Sequence, residues 1–155
     1  MYSKILVPLD GSPLAERALE PALEMARTAG SEIILLEAVQ DSLAAVPEAR
    51  YHVPPGDTYR SAISSMKYLR DIACRLRPHV GKVRCHVAEG DPTDAILSFA
   101  HKENVDIIVM GTHGRTGLSR VMMGSVAEKV TKTTHRPVML VKPDRSTFRA
   151  QRDAA

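Results

Sequence analysis

Five short apolar runs, each followed by a turn signal or a helix start, limit what this chain can fold into. They are residues 4–9 (KILVPL), 32–39 (EIILLEAV), 82–88 (KVRCHVA), 105–110 (VDIIVM) and 137–141 (PVMLV). Apolar runs of this length read as strands. The stretches between them carry helical signals. Strands alternating with helices define the α/β class: a parallel sheet with helices on both faces. Right-handed crossovers then leave few topologies.

The helical signals are specific. Ser12-Pro13 supplies a hydroxyl cap followed by Pro at the first helical position. Ala15, Ala18, Leu19, Ala22, Leu23 and Ala26 follow a 3.6-residue period, and Gly30 is a C-terminal stop. Pro21 interrupts this pattern and is expected to kink the helix. Residues 59–77 place Ala62, Ile63, Met66, Leu69, Ala73 and Leu76 on one face. Asp91-Pro92 opens a third helix, and Ser125 opens a fourth. Pro8 is awkward inside a central strand, because it lacks a ladder donor, but is tolerated near the strand's end. The third run alternates, with Arg84 and His86 opposite Val83, Cys85 and Val87, which suits a strand near the sheet edge. Residues 40–58 have three prolines and no period, and read as a functional or mobile loop. Residues 1–143 thus form one domain, and 144–155 a polar, basic tail.

Composition removes several classes of function. Of 155 residues, 44% are hydrophobic and 25% charged, so the chain can bury a core and is not disordered. No apolar run approaches the roughly 20 residues that span a bilayer, and the first eight residues lack a signal-peptide pattern. A cytoplasmic location without a membrane partner is the expectation. Cys74 and Cys85 are too few for a zinc site and read as reduced thiols, and the histidines show no metal-ligand spacing. Aromatic content of 4%, with no Trp, argues against a stacking platform for nucleic acid. The net charge is +3, yet residues 111–136 hold five cations against Glu128 alone, leaving +4 there and −1 elsewhere. Such a segment attracts phosphate or is a solvated helix face.

In open α/β sheets, ligands bind beyond the carboxyl ends of the strands, where strand order reverses. Two segments with ligand chemistry fall there: Asp10-Gly11-Ser12, and GTHGRTGLSRVMMGSVAEKV from Gly111. In the second, Gly111, Gly114 and Gly124 allow close backbone approach, and Ser125 begins a helix whose N-terminus favours an anion. Arg115 adds positive charge. The segment is neither a Walker A loop nor a Gly-x-Gly-x-x-Gly fingerprint. Asp10 is a site residue or a cap for its turn. His113 contacts phosphate or ribose, or is an exposed loop histidine with no task.

The segments KILVPLDGSPLAERAL, VDIIVMGTHGRTGLSRVMMGSVAEKV and RPVMLVKP together resemble the universal stress protein family, and Gly-x2-Gly-x9-Gly-Ser matches that family's ATP-binding signature. The resemblance implies a Rossmann-like open sheet of order 3-2-1-4-5 that binds ATP, with or without Mg2+. It implies that Asp10 meets the ribose or supports the first turn, with Pro8 beside it, and that Val39 meets the adenine through its backbone. Met110 and Gly111 would line the site, Gly114 and Arg115 would approach the phosphates, and Gly124, Ser125 and Val126 would bind them. It also implies a homodimer through the fifth strand. The function expected is an ATP-binding regulatory stress-response protein with little turnover and no assigned catalytic residue. One alternative is a slow ATP hydrolase or phosphotransferase. Another is a dimeric adaptor whose nucleotide is structural.

Overall fold

The computed structural model describes residues 1–39, 62–113 and 123–142. The loop at 40–58, Gly114, Arg115 and the tail from 144 lie outside the described residues. Strand β1 (Lys4–Leu9) leads through two short helices, α1 (Pro13–Glu16) and α2 (Leu19–Ala29), to β2 (Glu32–Val39). Helix α3 (Ala62–Leu76) precedes β3 (Val83–Glu89), and α4 (Pro92–Lys102) precedes β4 (Ile107–Gly111). Helix α5 (Ser125–Thr133) leads to β5 (Val138–Val141). The strands pair in parallel in the order β3-β2-β1-β4-β5.

Side-chain alternation divides the core into two layers. Ile5, Val7, Leu9, Ile33 and Leu35 pack with residues of α2 and α3, including Ala22, Ala26, Leu69 and Ile72. Leu6, Ile34, Leu36, Ile108 and Met110 face the other way, against Ile96 and Phe99 of α4 and Ala127 and Val130 of α5. The central strands are therefore covered on both faces, as their near-continuous apolar runs require. The edge strands are not: Arg84 and His86 of β3 are exposed, and Met139 of β5 is 37% exposed.

Two prolines act differently from their simplest sequence reading. The first helical segment breaks at Arg17-Ala18 rather than at Pro21, which occupies the third position of α2. There its missing N–H costs no intrahelical bond. The ring of a proline clashes with the carbonyl four residues back. That carbonyl belongs to Arg17, so the helix is interrupted one turn upstream, and the Ala18 N–H bonds the Ala15 carbonyl at 3.1 Å. Pro8 sits within β1, opposite Leu36 of β2. On the other side, β1 and β4 pair only at Ile5 with Ile107 and Leu6 with Ile108. The Lys4 carbonyl, of the same parity as Pro8, is turned towards β4, where it accepts from Asp106 N–H. Pro8 therefore turns its missing donor towards β4, beyond the point where that ladder ends.

Candidate functional site

The β1–β4 ladder ends at Leu6 with Ile108, before the carboxyl ends of the two strands, and this is where strand order reverses, the place at which open α/β sheets form their ligand crevice. The chain leaves β1 through Asp10-Gly11-Ser12. Asp10 Oδ1 accepts the Ser12 N–H at 2.9 Å, and Gly11 takes a φ of +82°. Ser12 caps α1, its Oγ accepting the Ala15 N–H at 3.1 Å. One of the two roles open to Asp10, support of the turn, is thus present in the geometry.

The chain leaves β4 through Gly111, Thr112 and His113. Met110 is 5% exposed and pairs with Leu140, so only the end of the strand reaches the crevice. A Cβ added at Gly111 would lie 3.0 Å from the Leu14 carbonyl oxygen and 3.4 Å from Ala15 Cα. The exits of β1 and β4 therefore touch, α1 lying directly against the end of β4. Thr112 is buried and its carbonyl accepts the Gly124 N–H at 2.7 Å. That bond fixes the start of α5 beside the end of β4. Gly124 is the N-cap, with extended φ and ψ of −60° and 146°, and as a glycine it brings no capping side chain of its own. Ser125 and Val126 are its first two residues, where backbone N–H groups have no intrahelical acceptor. A helix N-terminus without a side-chain cap, next to a strand exit, suits an anion.

Pro8 and Asp10 lie at or near the exit of β1, Met110, Gly111 and His113 at the exit of β4, and Gly124, Ser125 and Val126 at the start of α5 that the Thr112 carbonyl holds there. Gly114 and Arg115 fall outside the described residues. Val39 is placed differently. Its carbonyl accepts the Gly90 N–H at 2.9 Å, so its backbone polar groups face β3. The alternation along β2 is consistent: Ile33 N–H bonds Lys82 on the β3 side, and Glu32 N–H bonds Ser3 on the β1 side. Ala38 therefore turns its backbone towards the end of β1, and is better placed than Val39 to meet a ligand there. Apolar periodicity carries no signal for this, because it reports side-chain faces and not backbone sides. Thr112 is a second residue that sequence reasoning passed over. Its signal was a lone hydroxyl between Gly111 and His113.

Among the described residues, no three His, Cys, Asp or Glu side chains cluster as metal ligands, and no helix is long and apolar enough to cross a membrane.

A family profile described as the universal stress protein family matches residues 1–142. Universal stress protein MJ0531 of Methanocaldococcus jannaschii is 33% identical over 92% of this chain and 83% of its own length. The solved structure of MJ0577 is 31% identical, with a TM-score of 0.73 over 94% of this chain and 99% of that one. A universal stress protein of Archaeoglobus fulgidus, solved in complex with dAMP, shares the fold at 24% identity and a TM-score of 0.64, covering 91% of this chain and 98% of that one.

Proposed function

The chain belongs to the universal stress protein family, and from that premise we propose that it binds ATP in the crevice between the exits of β1 and β4, as a regulatory protein. The observation that carries the reading is the start of α5. Gly124 brings no capping side chain to the helix N-terminus, and the Thr112 carbonyl holds it at the end of β4. The N–H groups of Ser125 and Val126, with the Ser125 hydroxyl, are the donors for phosphate oxygens. Pro8, Asp10 and the backbone of Ala38 line the side where ribose and base would lie. The dAMP complex of the Archaeoglobus fulgidus protein supports an adenine nucleotide as the ligand class. Any Mg2+ would arrive on the phosphates, since no metal-ligand cluster exists among the described residues.

Regulation rather than hydrolysis is the better reading, because hydrolysis needs a positioned base and stabilisation of the transferring phosphoryl group. Asp10, at the exit of β1, already accepts from the Ser12 N–H. Two copies paired through the exposed edge of β5 complete the proposal. Mass spectrometry of ligand released from the purified protein, followed by calorimetry with ATP, ADP and AMP, tests it. ATP binding at micromolar concentration is the expected result. A folded protein that takes up no adenine nucleotide would refute the reading.

A further inference from the structure

Strand β3 is the second edge of the sheet, two strands away from β1, and its outer side pairs with nothing among the described residues. Ile33 N–H bonds the Lys82 carbonyl, and Gly90 N–H bonds the Val39 carbonyl. Even-numbered residues here therefore turn their backbone groups towards β2. Val83, Cys85, Val87 and Glu89 turn theirs outward, along about 20 Å of strand. Edge strands are commonly blunted by a projecting charge. Arg84 does not project in this way. Its Nε donates to Glu32 at 2.8 Å and its Nη2 to Glu103 at 2.9 Å, so the guanidinium is held back over its own sheet.

Beside this edge, on the α4 side, runs a groove of about 530 Å3. Helix α4 packs over Ile34 and Leu36 of β2 and leaves Arg84 and His86 of β3 exposed. The His86 and Phe99 rings lie 4.5 Å apart at 35° and form an aromatic surface in the groove. Burial pushes His86 below the ordinary histidine value, so its ring is uncharged at neutral pH. Glu89, Asp91, Asp94 and Glu103 line the groove against two cations, Arg84 and Lys102, which leaves a balance of −2. Glu103 is engaged by Arg84, and Asp91 caps α4 by accepting from the Thr93 and Asp94 N–H groups. The carboxylates of Glu89 and Asp94, at the carboxyl end of β3, make no such bond among the described residues. Rings next to uncompensated carboxylates suit a Lys or Arg side chain, whose stem lies on the rings while its charge meets the acids.

We propose that β3 and this groove form a docking edge for an extended basic segment of a partner protein, which adds to the sheet as a sixth strand and lays a Lys or Arg side chain across Phe99 and His86 towards Asp94 and Glu89. Backbone bonds to the outward groups of β3 supply affinity, and the groove supplies the preference for positive charge. The occupant is a different chain: with β5 taken by a second copy, pairing of β3 with another would join copies into an open filament. The proposal is independent of the nucleotide reading, since none of these residues belongs to that site.

The test uses the full chain and a capped heptapeptide that alternates Thr and Arg. One control peptide carries Glu in place of Arg, and another is methylated at every backbone nitrogen. Amide spectra locate the contact, and hydrogen exchange reads the outward N–H groups. The basic peptide should shift signals of β3 and α4 and slow exchange at Val83, Cys85, Val87 and Glu89. Both controls should bind about tenfold more weakly. Asp94→Asn should weaken the basic peptide about threefold. Val87→Pro removes one outward N–H without touching the β2–β3 ladder and should also weaken it; if that variant does not fold, the methylated peptide asks the same question. Equal binding of the basic peptide and either control would overturn the proposal, as would contacts centred away from β3 and α4, or no binding at millimolar peptide. Outward amides of β3 already protected in the free protein would overturn it as well, by showing that the edge is covered by this chain or by a second copy.

Discussion

Gly111 and Gly124 are glycines for reasons that their common motif conceals. At Gly111 a Cβ would press on the Leu14 and His113 carbonyl oxygens, at 3.0 and 3.2 Å, so its lack of a side chain serves the contact of α1 with β4. Gly111→Ala is expected to cost about 1–3 kcal/mol of stability, as overpacking does, and calorimetric melting should show the lower Tm. At Gly124 a Cβ would meet the Thr112 oxygen at 3.1 Å and, next among the described residues, His113 Cα at 3.6 Å. Gly124→Val should keep the fold and lose ATP binding, because a branched side chain displaces the start of α5 from the Thr112 carbonyl. Calorimetry that returns equal affinities for wild type and a folded Gly124→Val protein would contradict the assignment of phosphate to α5. The glycine spacing was legible in the sequence. The atom to which each glycine yields was not, since Leu14 and Gly111 meet only after four strands have assembled.

At the scale of elements, the sheet is stitched at its amino end as well as open at its carboxyl end. Asp106, just before β4, accepts the N–H groups of Ser3 and Lys4 with Oδ2, both at 2.8 Å. These backbone bonds, that of Lys4 first, hold its carboxyl below the usual value. A carboxyl lowered on folding contributes stability that is complete above its unfolded pKa and lost as pH falls through the folded one. Asp106→Asn should therefore destabilise the protein at neutral pH by about 1–2 kcal/mol. Denaturant titrations across pH should show the gap from wild type closing once the medium is more acidic than the ordinary carboxylate range of about 4. A gap that stays constant from neutral pH to acid would show that the carboxylate charge does not hold this end. The type of each helix and strand followed from its own residues. Where a helix breaks and which side of a strand a proline faces did not, because Pro21 acts on Arg17 and Pro8 is accommodated by where β4 stops pairing.

The whole molecule presents β5 as an exposed edge, with Val138, Leu140 and Val141 half-buried and Met139 exposed. An unpaired edge of this kind invites a second strand, and two copies related by a two-fold axis satisfy both edges. Sedimentation equilibrium should find a wild-type dimer, and Met139→Lys should shift it to monomer. A wild type that stays monomeric at micromolar concentration would remove the dimer from the proposal. ATP incubated with the protein and Mg2+ should remain intact over many minutes, and turnover on the order of 1–1,000 per second would make the protein a hydrolase. Local periodicity, caps and turn residues by themselves determined the α/β class, the succession of elements and the glycine-bearing segment, because each depends on neighbours within a turn or two of chain. The tertiary structure alone decided that Ala38 rather than Val39 faces the end of β1. It alone placed Thr112 between Val141, 29 residues away, and the start of α5. Such facts depend on strand register and on which ladder ends first, and those are settled between segments distant in sequence.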